Sequence, residues 1–382
     1  MGVSALTTAL SNTTDPTLVI YERLLSTPRT PTASMSCTFR SLVLGLSALL
    51  SSATFAQEKK QQLVPALVGF YNVENLFDTI DSPDTDDKEF LPDGPNQWTG
   101  ARYWSKMDRM ARVIAEMGKD LHPQGLAILG VAEVENRAVM EDLVHTKALK
   151  DRNYQVVHDE SPDRRGVDVG LIYNPALYKV YASKAYTFST ADTAFKTRDQ
   201  LLVSGVLDGD TTHVIVGHWP SRRGGEKRSE GKRKGAAELA RHIIDSLLAI
   251  NPNARIMLMG DLNDDPVNVS ISRFVNATGD KSKATGGVFF NAMYEPYQKG
   301  IGTLAWRDSW NLFDQIILSP ALVSGQGGSY HYYGVRIYNE PYLRQTEGNF
   351  AGYPYRSYVG NAYQEGFSDH FPVFVILVKE VK

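Results

Sequence analysis

A single cysteine, Cys37, in 382 residues leaves the chain no partner for an internal disulfide and no thiolate cluster for a metal. Cys37 also falls in an N-terminal stretch expected to be removed, so the mature chain has no cysteine nucleophile. Any metal must be held by oxygen or imidazole. No later stretch approaches the roughly 20 uninterrupted apolar residues of a membrane span. Neither sign of charge dominates: 40 Lys and Arg stand against 43 Asp and Glu, a net charge of -3. Net charge therefore points to neither nucleic acid nor a membrane surface. What is present, 42% hydrophobic residues, suits a globular chain with a sizeable core.

The N-terminus reads as two segments. From Met35 there is one positive charge at Arg40, an apolar core from 42 to 50, then small residues ending at Ala56 before a polar stretch. This is the layout of a secretory signal peptide over residues 35–56, with cleavage near Ala56 and a secreted or periplasmic product. Residues 1–34, rich in Ser, Thr and Pro without periodicity, read as a disordered or non-native leader, which makes Met35 the expected start. Residues 57–382 are expected to form a single domain, with no evident linker or internal repeat.

Within that domain, apolar runs at 66–71, 126–131, 167–173, 201–207, 213–216, 256–259, 313–318 and 372–378 predict strands. Helical periodicity falls at 104–117, 136–147 and 234–249. Strands alternating with helices indicate α/β, whereas 201–207 and 213–216, joined through Asp208-Gly209-Asp210, read as a hairpin. A mixed, mostly antiparallel sandwich flanked by helices satisfies both.

The most informative segment is GDLNDDP at 260–266, directly after Ile256, Met257, Leu258 and Met259. Period-2 alternation sends Asp261 and Asn263 to the same side as the chain leaves its strand. Together they can hold one water between an acceptor and a group that also donates. Asp264 and Asp265, beside Pro266, read as turn-forming carboxylates outside the site. An Asp at a strand end is ordinarily a turn former, so the pattern around it decides. Polar residues recur at the ends of the other strands: Asn72 and Glu74, Glu133, His218, Asp314, and Ser368-Asp369-His370. A carboxylate such as Glu133 at the end of an apolar run costs several kcal/mol unless it is paired or bound to a cation.

In that order these motifs, from Asn72-x-Glu74 to Ser368-Asp369-His370, resemble the signature of the endonuclease/exonuclease/phosphatase superfamily over residues 66–378. YNVENLFD at 71–78 and HWPSRRGGE at 218–226 look most like its secreted or envelope-associated bacterial members. The resemblance implies a four-layer α/β/β/α sandwich and a Mg²⁺-dependent phosphoesterase, with Mn²⁺ as a substitute. It implies Glu133 as principal metal ligand, with Asn72, Asp369 and Glu74 nearby; Glu74 stands where some nuclease members have aspartate, leaving open whether it meets the metal or a water. It implies Asp261 and Asn263 orienting the attacking water, His370 against the phosphate and held by Asp314, and His218 assisting the leaving group through a near-neutral pKa. Either Asp261 or His370 can then be the base.

Three features bear on substrate. The basic run 222–234, opening with Arg222 and Arg223, follows His218 and can cradle further phosphates, although such runs are commonly solvated loops and helix starts. The Gly- and Tyr-rich segment 325–363 reads as an elaborated hairpin with cross-strand aromatic pairs. Arg165 and Asp168 read as a salt bridge. The expected substrate is a phosphate ester of nucleic acid or a nucleotide, with no membrane span and no obligate protein partner. Two alternatives stay open: a sphingomyelinase-like lipid phosphodiesterase, and a catalytically silent binding module on the same fold.

Overall fold

A computed structural model describes residues 63–190, 192–325 and 328–381; the leader and signal-peptide expectations for 1–56 lie outside the described residues. One sheet has six strands: β1 (Leu63–Leu76), β2 (Ile128–Val134), β3 (Gln155–His158), β4 (Asp168–Tyr173), β14 (His331–Ile337) and β17 (Val373–Glu380). They lie side by side in the order β14-β17-β1-β2-β4-β3. The other has seven: β5 (Tyr178–Tyr186), β6 (Gln200–Leu207), β7 (Asp210–His218), β8 (Arg255–Asp261), β9 (Ala277–Thr278), β10 (Phe289–Asn291) and β13 (Asp314–Leu318). Their order is β5-β6-β7-β8-β13-β10-β9. Neighbours β1/β2, β7/β8 and β9/β10 pair in parallel. Two small hairpins, β11 (Leu304–Trp306) with β12 (Ser309–Asn311) and β15 (Tyr358–Val359) with β16 (Ala362–Tyr363), stand apart from both sheets.

The alternation along β8 explains the layering. Met257 and Met259 point between the sheets, against Val214, Val216, Phe70 and Val375. Ile256 and Leu258 point outward, against Ala237, Ala240, Ile243 and Ile244 of helix α3 (Glu226–Ile250). A strand buried on both faces has to read as a continuous apolar run, which is why 256–259 shows no alternation in composition. The far face of the six-stranded sheet is covered by α1 (Gly100–Glu116) and α2 (Arg137–His145), which bury Met107, Met110, Ile114, Val139, Met140 and Leu143. Gly170 of β4 lets α2 approach, since a side chain there would collide with the Met140 thioether. Thr99 and Asn136 cap α1 and α2 through side-chain oxygens that accept from Arg102 and Val139 backbone N–H groups. The result is the expected sandwich of two mixed sheets flanked by helices.

The expected hairpin is a two-residue turn: Leu207 pairs with Asp210, and Asp208 and Gly209 take φ of 43° and 88°. That is the left-handed pair a tight hairpin requires. The basic run is a loop and helix start: α3 begins at Glu226 directly after Gly224 and Gly225, whose φ of 82° and 115° turn the chain. One expectation is corrected. The 325–363 segment is not one elaborated hairpin: β14 adds to the edge of the six-stranded sheet beside β17, and the remainder is short turns around β15 and β16.

Candidate active site

Register alone gathers His218, Asp261 and Asp314. Parallel β7/β8 pairing sets His218 opposite Asp261, and antiparallel β8/β13 pairing sets Asp314 opposite Asp261 on the other side. Three polar side chains thus leave neighbouring strands in one row. The row closes tightly because Gly217 and Gly260 are also opposite one another, and a Cβ on Gly260 would fall on the Gly217 carbonyl.

The six-stranded sheet supplies Glu74 and Glu133 through two bulges. The β1/β2 register shifts between Asn72 and Leu76, and the β2/β4 register between Ala132 and Val134. At these shifts Glu74, Asn75 and Glu133 adopt φ of 51°, 49° and 63°, and Asn263 on the facing sheet adopts 50°. Left-handed backbone at non-glycine residues costs on the order of 1–3 kcal/mol each, and such strain concentrates where a side chain must be aimed for function. The strained Glu133 keeps Oε2 on the Asn75 backbone N–H at 3.0 Å, while Oε1 lies 3.7 Å from His218 Nε2.

Around Asp261 the charges are arranged in opposite senses. Its Oδ2 accepts from Asn72 Nδ2 at 3.1 Å and lies 3.6 Å from His218 Nε2 and 3.8 Å from His370 Nε2. Its Oδ1 accepts from the Asn263 backbone N–H at 3.0 Å. Burial pushes the Asp261 carboxyl up to about 7, against the pull of His370, with Asp314 adding to the rise. For His370, burial alone would favour the neutral ring, but Asp314 at 2.7 Å from Nδ1, then Asp261 and Asp369, hold it well above the usual histidine range. His218 goes the other way: burial, then Arg198, Arg165 and His370, drive it well below. The two carboxylates near His218 lie beyond hydrogen-bond reach and do not reverse this, so the expected near-neutral titration is corrected to a ring that is uncharged at neutral pH.

Asn263 donates its side-chain amide to the Trp219 carbonyl at 3.0 Å, tying the turn after His218 to the turn after Asp261. Ser368 Oγ donates to the Asn72 carbonyl at 2.7 Å and accepts from the His370 N–H, which joins the last motif to the first.

On the side of Glu74 and Asp369, the exposed Arg356 and the buried Lys106 already balance part of the charge. Glu74 accepts from the Ser357 N–H at 2.7 Å and from Arg356 Nε at 3.3 Å, while Arg356 Nη2 donates to Asp369 at 2.9 Å. Burial and the neighbouring Asp369 push the Glu74 carboxyl up to about 7. Lys106, brought down to about 8 by burial, donates to the Glu74 carbonyl and to Ser357 Oγ. The donors Asn72, Glu74, Glu133 and Asp369 are all oxygen, and Glu74 and Asp369 repel one another; that chemistry fits a hard divalent cation with retained waters. Among the described residues, the one trio of His, Asp or Glu with ligand atoms all within 4.8 Å lies elsewhere, at His158, Glu160 and Asp168. There Asp168 pairs with His158 at 3.1 Å and with Ser161, which corrects the expected Arg165 partner.

The other expected residues divide. Arg222 donates Nε to the Asn263 carbonyl and Nη2 to Asp264, Asp265 and Asn268, so it anchors the turn after Asp261, while its Nη1 lies 3.5 Å from Glu226. Asp264 and Asp265 are buried anchors of that turn, with Asp264 also held by Ser270 and Arg233. Arg223 is exposed and unpaired among the described residues.

Arg198, Lys106 and Arg356 were missed. Arg198, buried, donates to the His218 and Trp219 carbonyls and to Asp163. Lys106 alone carried a signal, since it interrupts the apolar stripe of Tyr103, Met107, Met110 and Ile114 on α1, and a lysine on such a face requires partners.

The sequence profile of the Endonuclease/Exonuclease/phosphatase family matches residues 67–379, and the chain belongs to that family. Its members are divalent-metal-dependent phosphoesterases. Among solved structures, the chain is similar to an endonuclease/exonuclease/phosphatase family protein from Bacteroides thetaiotaomicron, at 18% identity over 84% of this chain and 100% of that one, with a TM-score of 0.50. It is also similar to humanized D. rerio TDP2, at 13% identity over 82% and 98% of the two chains with a TM-score of 0.49. A mannosyl-6-phosphatase of B. thetaiotaomicron aligns at 18% identity over 83% and 100%, with a TM-score of 0.48. No curated protein matches the chain. Among the described residues no helix is long and apolar enough to cross a membrane.

Proposed function

We propose that this protein is a Mg²⁺-dependent hydrolase of phosphate esters whose substrate is a phosphodiester of nucleic acid or a nucleotide. The observation that supports this most is the pair of opposed protonation states at one point: a carboxyl poised at about 7 on Asp261 and a charged imidazole on His370, 3.8 Å apart. Asp261 takes the proton of an attacking water that Asn263 helps to orient. His370, kept charged and fixed in tautomer by Asp314, presents Nε2 to a phosphoryl oxygen as charge builds there. His218, uncharged, offers a neutral hydrogen bond to the departing oxygen. A divalent cation on Glu133, with Asn72, Asp369 and Glu74 around it, supplies neutralisation of the phosphoryl and leaving oxygens when bound. Asp261 is the base in this reading, because His370 has its proton in place.

A second reading has its own observation. A groove of about 770 Å³ is walled by Trp306, Phe350, Tyr353 and Val359 and runs down to Arg356 and Asp369. Trp306 and Phe350 are 65% and 49% exposed, an apolar wall that favours a phosphodiester with a lipid portion, as in the sphingomyelinase-like alternative.

The test is a panel of DNA, RNA, a nitrophenyl phosphodiester, a phosphomonoester and sphingomyelin, with Mg²⁺ or Mn²⁺ and with chelator. Chelator-sensitive cleavage of the nitrophenyl diester and of a nucleic acid is expected. Cleavage of sphingomyelin alone would move the assignment to the lipid, and no turnover at all would favour the silent binding module. Residues 35–56 also lead us to propose export, checked by N-terminal sequencing of the mature protein for a start near Ala56.

A further inference from the structure

The fold divides the basic run in two. Arg222 and Arg233 turn inward and grip Asp264. Arg223, Arg228 and Lys232 instead open on a cavity of about 410 Å³ beside the turn that leaves His218, where Lys196 and Arg198 join them together with Pro220 and Ser221. Among the described residues no carboxylate lines it. Lys196, Arg223 and Arg228 have no acidic partner among the described residues, and Lys232 meets only the ring of Phe195, at 3.6 Å. In the wall, Thr197 is 2% exposed and its buried hydroxyl has no partner among the described residues. Exposed cations gathered about one concavity repel each other and focus a positive potential into it. Helix α3 adds to that field, because its N-terminus at Gly225, beside the lining Gly224, lacks a side-chain cap. Arg198 makes the link to the reacting centre: the same guanidinium that lines the cavity holds the carbonyls of His218 and Trp219.

We infer that this cavity is a second phosphate site, which takes a phosphate of the substrate other than the one attacked between Asp261 and His370. This rests on the hydrolase reading above and narrows it: the preferred substrate carries more than one phosphate, as an oligonucleotide or a nucleoside polyphosphate does. A lone sugar phosphate or lipid headgroup leaves the cavity unused.

The test compares the full chain with its Lys196→Gln/Arg228→Gln variant in three assays. With a single-phosphate nitrophenyl diester, kinetics are expected to be unchanged. With a thymidylate decamer, KM is expected to rise about tenfold with kcat nearly constant, and the log–log salt dependence to flatten by about 1.4 for two lost contacts. With a nucleoside triphosphate the same KM rise occurs if the second phosphate belongs to a small polyphosphate, and the arm that shifts identifies the source. An unchanged KM in both polyphosphate arms, or equal loss on the nitrophenyl diester, overturns the inference. Calorimetric binding of inorganic tripolyphosphate, measured with chelator present, keeps the two readings separable. If neither protein hydrolyses anything, weaker tripolyphosphate binding by the variant still supports the cavity, and equal binding overturns it.

Discussion

Asp261 is a residue whose burial and whose histidine neighbour act on its proton in opposite directions, and burial wins. Its folded carboxyl, at about 7, lies above the ordinary 3.8, so the folded protein retains a proton that the unfolded chain releases between those values. The stabilisation from that proton is complete below about pH 4 and is lost as pH rises through 7. Asp261→Asn, neutral at every pH, is therefore expected to match the parent near pH 4 and to exceed it by roughly 2 to 4 kcal/mol above pH 7, in metal-free protein. Denaturant unfolding across that range measures it, and a pH-independent difference would contradict the shift. His370 depends on Asp314 in the same direct way. Asp314 is the strongest of the groups that oppose burial, so Asp314→Asn is expected to bring the His370 titration down from well above 6.5. Ring-proton NMR follows this, and a titration left in place would remove Asp314 from the role of positioning residue.

At the scale of elements, the paired bulges on β1 and β2 aim Glu74 and Glu133 by forcing left-handed backbone. Glu133→Gln retains that strain and Glu133→Gly relieves it. The glycine variant is expected to be the more stable of the two by about 1 kcal/mol, with both inactive, and equal stabilities would show that the backbone is unstrained. The bulges also mark where the sequence stops being legible. Apolar runs bounded by polar residues announced His218 and Asp261 at their ends and Asp314 and Asp369-His370 at their starts, because a two-sided buried strand has one compositional form. In the YNVENL stretch period 2 is broken by the inserted residues, so the aim of Glu74 could not be read there. Nor could β14, whose residues are only partly buried at a sheet edge and whose pattern is aromatic without alternation. Arg198 and Arg356 were invisible for a different reason. Each is fixed by groups distant along the chain, Arg198 by the carbonyls of His218 and Trp219 and Arg356 by Glu74, and no local pattern carries such a contact.

Across the whole molecule a net charge of -3 conceals two opposed regions. Carboxylates converge where Glu74, Glu133, Asp261, Asp314 and Asp369 leave the sheets, and unpaired cations collect beside the start of α3. A cation bound among the carboxylates has affinity for the folded chain only, so Mg²⁺ at 100 times its dissociation constant is expected to add about 2.7 kcal/mol of stability. Thermal unfolding with and without chelator reads that shift, and Glu133→Gln should reduce it. The most direct measurement is the initial rate on the nitrophenyl phosphodiester as Mg²⁺ is titrated, for the parent, Glu133→Gln and His370→Ala. The expected result is saturable dependence on Mg²⁺, loss of rate with chelator, and a drop of at least about 100-fold in each variant whose unfolding temperature stays close to the parent's. A rate that survives chelation, or His370→Ala turning over near the parental rate, would contradict the account.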